Sequence, residues 1–130
     1  MEKYIQEAGQ KGNVDIIVFP EVALTGYTYS VANFDWEDYN PLTKEVRKSD
    51  GKTEAHVALA ETIPGPTTQY LSEYAKKYNM YIVFGMAALP DGGLINEDGV
   101  DKCYNSAAIL CPDGRIEKYN KIHLTNDEGE

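Results

Sequence analysis

The chain has 130 residues, with 12 Lys and Arg against 21 Asp and Glu, a net charge of −9. That balance disfavours nucleic acid and anionic membrane as partners, because phosphate contacts need clustered cations, and 42% hydrophobic residues with 10 tyrosines argue against disorder. Two cysteines are too few for a disulfide scaffold or an all-cysteine zinc site, and two histidines make no metal cluster, so no metal is expected; neither Cys-x-x-Cys nor Gly-x-Gly-x-x-Gly occurs, so no cofactor is expected.

Glu2 to Lys11 reads as a short helix, with Tyr4, Ile5 and Ala8 on one face and Gly12-Asn13 as its stop. Val14 to Phe19 is a compact, β-branched apolar run, the pattern of a strand buried on both faces. Pro20 ends it, because proline cannot donate to a ladder. Glu21 then sits just past the carboxyl end of a strand, where open α/β sheets bind ligands. Thr25-Gly26-Tyr27 suggests a turn, and Ser30 to Glu61 is polar and irregular. Within it, Lys44 to Glu54 reads as an exposed loop and Thr53 to Ala60 as a helical turn or two. Ile63-Pro64-Gly65-Pro66 is a rigid loop.

Thr67 to Tyr78 is the clearest helix. Thr67 serves as cap, and Tyr70, Leu71, Tyr74, Ala75 and Tyr78 form an apolar face. Lys76 and Lys77 suit its last turn and Asn79 its left-handed stop. Tyr81 to Leu89 is a second buried strand, followed by a Gly-rich acidic loop to Asp101. Lys102 to Cys111 and Arg115 to Tyr119 form a hairpin across Pro112-Asp113-Gly114. The order is an α/β mixture that opens on a helix where a parallel unit normally opens on a strand. The pattern therefore reads as part of a larger domain.

No run approaches 18 apolar residues, and Met1 to Gly12 lacks the apolar core of a signal peptide. No membrane association is expected, and a cytoplasmic setting is.

Three features could carry chemistry: Phe19-Pro20-Glu21, the run Tyr119-Asn120-Lys121-Ile122-His123-Leu124, and the pair Cys103 and Cys111. At a strand mouth Glu21 is either a solvated loop carboxylate or a base, poised by desolvation and a nearby cation. Lys121 is either a surface lysine with its stem on apolar neighbours, or a partner for Glu21 and for an oxyanion. His123 reads as a packing or supporting residue.

Taken together these segments resemble the nitrilase superfamily of carbon–nitrogen hydrolases. DIIVFPEVALTGY (Asp15 to Tyr27) resembles its first catalytic motif, with Glu21 in the general-base position. IPGPTTQYLSEYAKKYNMYIVFG (Ile63 to Gly85) resembles its connecting helix and strand. YNSAAILCPDGRIEKYNKIHL (Tyr104 to Leu124) resembles the hairpin that leads to its catalytic lysine, here Lys121. A second glutamate often follows that lysine, and Glu128 fits best among Asp127, Glu128 and Glu130.

The resemblance implies part of a four-layer α-β-β-α sandwich over residues 1–130, incomplete at both ends, with subunits that pair as homo-oligomers. It implies hydrolysis of non-peptide carbon–nitrogen bonds in small molecules, amide or carbamoyl ahead of nitrile, by Glu-Lys-Cys chemistry. In the family the nucleophilic cysteine follows the lysine. Cys103 and Cys111 both precede Lys121 and match structural thiols instead. The isolated chain is therefore expected to be inactive, and either marginally stable or self-associating. The alternative is a non-catalytic remnant or assembly partner that uses the same surfaces for binding.

Overall fold

The computed structural model describes residues 1–25, 59–93, 95–97 and 100–124. The readings over Tyr27 to Ala58, and Glu128, fall largely or wholly outside them. Helix α1 spans Glu2–Lys11 and stops where Gly12 takes φ 72°, a left-handed cap that glycine adopts at no steric cost. Strand β1 is Ile16–Val18, helix α2 is Pro66–Tyr78 and strand β2 is Tyr81–Ala88. Strands β3 (Ile95–Glu97) and β4 (Val100–Lys102) form a small hairpin inside the stretch read as a loop. Strands β5 (Tyr104–Leu110) and β6 (Ile116–Asn120) follow.

Among the described residues the main sheet has four strands in the order β1-β2-β5-β6. β1 runs parallel to β2, so β1 to β2 is a crossover that includes α2. β2 and β5 pair antiparallel from Ile82↔Leu110 to Ala88↔Tyr104. The β5–β6 hairpin turns at Pro112-Asp113, where the Gly114 N–H donates to the Cys111 carbonyl at 3.0 Å. Arg115 closes on Asp113 with Nε–Oδ2 at 2.7 Å, and that hydrogen bond holds the Asp113 carboxyl below the usual carboxylate range.

Strand alternation gives the sheet two unlike faces. Ile82, Phe84 and Met86 of β2, with Ala108 and Leu110 of β5, are fully buried against Ile5 of α1 and Leu71 and Ala75 of α2. The opposite face leaves Ile16 54% and Val18 64% exposed. The expectation that β1 is buried on both faces is therefore wrong. Among the described residues β1 is the outermost strand of the sheet, and only Ile17 of its three residues turns toward the helices. An apolar run reports that a strand is covered somewhere, not which part of the chain covers it.

Helix α2 begins one residue earlier than predicted, at Pro66, with Gly65 as cap. The Gly65 N–H donates to Thr68 Oγ1 at 2.8 Å. Thr67 is engaged elsewhere. Its N–H and hydroxyl donate to the two oxygens of Glu61 at 2.9 and 2.8 Å. Tyr70 of the predicted apolar face is 43% exposed. Its hydroxyl and that of Tyr74 turn to the Glu2 carboxylate on α1, which they hold below the usual range, Tyr74 most strongly.

Candidate functional site

The site begins where β1 ends. Past Val18 the chain stays on β2, with Phe19 N–H donating to the Val83 carbonyl at 2.8 Å and Gly85 N–H to the Pro20 carbonyl at 3.2 Å. Pro20 needs no donor there, because β2 supplies it. The chain then turns across the open face of the sheet, with Leu24 N–H returning to the Gly85 carbonyl at 3.3 Å. Gly85 is required by this path. A Cβ on it would lie 2.6 Å from Glu21 Cα and 2.5 Å from the Val22 nitrogen. Val22 takes φ 51°, a conformation that β-branched residues rarely adopt.

The other half of the site comes from the β5–β6 hairpin. Ser106 pairs with Asn120, and the Ser106 hydroxyl donates to Asn120 Oδ1 at 2.8 Å. The ladder continues one step further, with Lys121 N–H donating to the Asn105 carbonyl at 2.8 Å. Alternation puts Asn105 on the open face, in register with Ala87 of β2. From there Lys121 Nζ reaches Glu21 Oε1 at 2.7 Å, across 100 residues of sequence. Asn105 Nδ2 donates to the same oxygen at 2.8 Å. Both charged side chains keep contact with solvent, Lys121 at 29% and Glu21 at 37% exposure.

The structure thus brings together Glu21 and Lys121. Of the other residues singled out, His123 is exposed rather than packed. Cys111 is buried at the far end of β5 from Asn105, about 20 Å along the strand, and Cys103 is half-buried before β5. Among the described residues, no group of three or more His, Cys, Asp or Glu side chains is arranged to hold a metal. No helix among them is long and apolar enough to cross a membrane.

The arrangement has chemical use. A carboxylate held by an ammonium and an amide is positioned to take up a proton, and the ammonium offers positive charge to an oxygen that becomes negative. A family profile described as carbon-nitrogen hydrolase matches residues 1–130. The chain belongs to that family.

Among carbon-nitrogen hydrolases, the chain is 34% identical over 124 residues to a nitrilase of Pyrococcus abyssi, covering 95% of this chain and 36% of that protein. It is 33% identical over 123 residues to omega-amidase NIT2-A of Xenopus laevis, covering 94% and 33%. Human omega-amidase NIT2 is 46% identical over 66 residues, 50% of this chain and 21% of that protein. The chain thus spans about a third or less of the length of these relatives. Solved structures share the fold. An N-terminal amidase matches 98% of this chain and 24% of its own, with TM-score 0.60 and 23% identity. A CN-hydrolase superfamily protein of Xanthomonas campestris, which carries an arsenic adduct in its active site, matches 98% and 36% with TM-score 0.61 and 18% identity.

Asn105 and Gly85 were not singled out as site residues by sequence reasoning, although both lie inside the quoted motifs. A strand asparagine is a weak signal, because its meaning depends on which strand lies beside it. A strand glycine signals a close backbone approach, but not whose backbone approaches.

Proposed function

We propose that this segment supplies the base and the cationic support of a carbon-nitrogen hydrolase that acts on small amides. Glu21 is the general base and Lys121 the oxyanion-supporting cation. A cysteine thiol, placed after the lysine by the family pattern, gives its proton to Glu21 and attacks the amide carbon. The negative charge that develops on the amide oxygen is met by the Lys121 ammonium. Glu21 returns the proton to the leaving nitrogen as the C–N bond breaks, and then takes one from the water that cleaves the acyl-enzyme. Amide chemistry is preferred over nitrile hydrolysis because amidases recur among the relatives. Glu128, outside the described residues, is the candidate for a second carboxylate.

The observation that supports this reading is the 2.7 Å contact between Lys121 Nζ and Glu21 Oε1. Ammonia release from a panel of small primary amides, ω-amides among them, and of nitriles tests it on the full-length chain that bears the segment. Glu21→Gln is expected to lower kcat/KM about 10²–10⁴-fold and Lys121→Met about 10²–10³-fold. A polypeptide of these 130 residues alone is expected to release none. Full activity in Glu21→Gln overturns the assignment. The alternative reading is a non-catalytic binding partner that uses the same surfaces. No hydrolysis of any panel member by the full-length chain favours that reading.

A further inference from the structure

The Glu21–Lys121 pair joins two flexible side chains from loops at strand ends. An ammonium is a point charge on a long stem, and by itself it leaves a carboxylate free to rotate about its terminal bond. Asn105 differs from both. It sits within β5, paired with Ala87 of β2 on one side and bonded through its carbonyl to the Lys121 N–H, just past β6, on the other, so its backbone is fixed on both sides. Its carbonyl accepts the Lys121 N–H at 2.8 Å, and its side-chain amide donates to Glu21 Oε1 at 2.8 Å. The same oxygen receives Lys121 Nζ. One residue therefore touches both members of the pair, one through its main chain and the other through its side chain.

We propose that Asn105 is a positioning residue, which sets the orientation of the Glu21 carboxylate relative to Lys121. The inference rests on Glu21 being the base and deepens that reading. Lys121 brings charge, and Asn105 brings direction. A planar donor on a rigid strand stops the carboxylate from swinging away while the ammonium turns to meet charge on the substrate. Misplacing a reacting group by about 1 Å can cost about 100-fold in rate.

The test uses the full-length chain, with Asn105→Ala, Asn105→Ser and Asn105→Asp. Asn105→Asp keeps the side-chain volume but replaces the donor with an acceptor. All three are expected to lower kcat about 10- to 100-fold with little change in KM. Asn105→Asp should be at least as impaired as Asn105→Ala. The acid limb of the pH–rate profile should move to higher pH, because a donor to the ionised carboxylate is lost while Lys121 stays in place. A purely structural residue would tolerate the isosteric change and leave the profile unmoved. Values of kcat within threefold of wild type, or a loss confined to KM, overturn the proposal.

A second measurement does not need activity. The side-chain carboxyl 13C resonance of Glu21, assigned by its disappearance in Glu21→Gln, should shift in Asn105→Asp and Asn105→Ser relative to wild type. An unmoved resonance overturns the Asn105 role even in an active enzyme. A moved resonance with an active Glu21→Gln variant would instead sink the base assignment and leave the contact intact.

Discussion

Glu21, Val22 and Gly85 form one local compromise. Glu21 crosses β2 only because residue 85 has no side chain, and Val22 accepts φ 51° immediately after it. Backbone held in this region costs of order 1–3 kcal/mol and persists when its surroundings over-determine it. Here the hydrogen bonds from Gly85 to Pro20 and from Leu24 to Gly85 hold the turn on both sides. Gly85→Ala forces a Cβ against Glu21 and Val22. It is expected to destabilise by about 1–3 kcal/mol and, if Glu21 is the base as proposed, to lower ammonia release by the full-length chain through displacement of Glu21. Denaturant unfolding and ammonia release, measured together, check both effects. A variant as stable and active as the parent would show that the turn yields without consequence. Residue type and position leave the pairing of Lys121 with Glu21 as one of two readings, beside a surface lysine, and it is the family resemblance that draws the two residues into one site. The Asn105 contact is not legible in the sequence, because an asparagine in a strand carries no charge or spacing signature until its neighbours are known.

At the scale of elements, α2 is held in place by a residue well outside it. Glu61 is 9% exposed and accepts both hydrogen bonds offered by Thr67, in the first turn of α2. Its own main chain pairs beside β2, receiving Leu89 N–H at 2.9 Å and donating to the Ala87 carbonyl at 3.3 Å. The carboxylate thus meets the orphan N–H groups and positive end of the helix, and its backbone ties that end to the sheet. Glu61→Ala leaves the Thr67 donors without these partners in a buried setting. The expected cost is about 1–3 kcal/mol, read as a lower urea midpoint with an unchanged slope. A midpoint equal to wild type would remove Glu61 from the fastening of α2. The helix itself was legible to within one residue, since periodicity and turn residues are local signals. The sequence places its start at Thr67, because a threonine before an apolar run looks like a cap. The burial of Glu61, which claims Thr67, cannot be read locally.

At the scale of the molecule, and among the described residues, the sheet is covered on one face by α1 and α2 and leaves apolar side chains exposed on the other. Ile16, Val18, Tyr81 and Tyr119 lie on that open face, between 41% and 64% exposed. Contiguous exposed apolar surface on a sheet that also presents an edge strand favours association. A polypeptide of these 130 residues is therefore expected to self-associate, with apparent mass rising across a concentration series in light scattering. Val18→Lys, on the open face of the edge strand β1, is expected to shift it toward monomer without disturbing the buried core. A wild-type mass that stays monomeric at all concentrations would count against the expectation.

The amino-acid sequence by itself determined the helices, the hairpin and the family motifs. Apolar period, turn residues and short ordered motifs act over a few residues and leave their mark there. Only the tertiary structure decided that β1 is the outermost of the described strands, that Gly85 makes room for Glu21, and that Asn105 touches both Glu21 and Lys121. Those facts depend on which strands pair and in what register. Register is set by burial and ladder hydrogen bonds between segments far apart in the chain, so no window of sequence contains it.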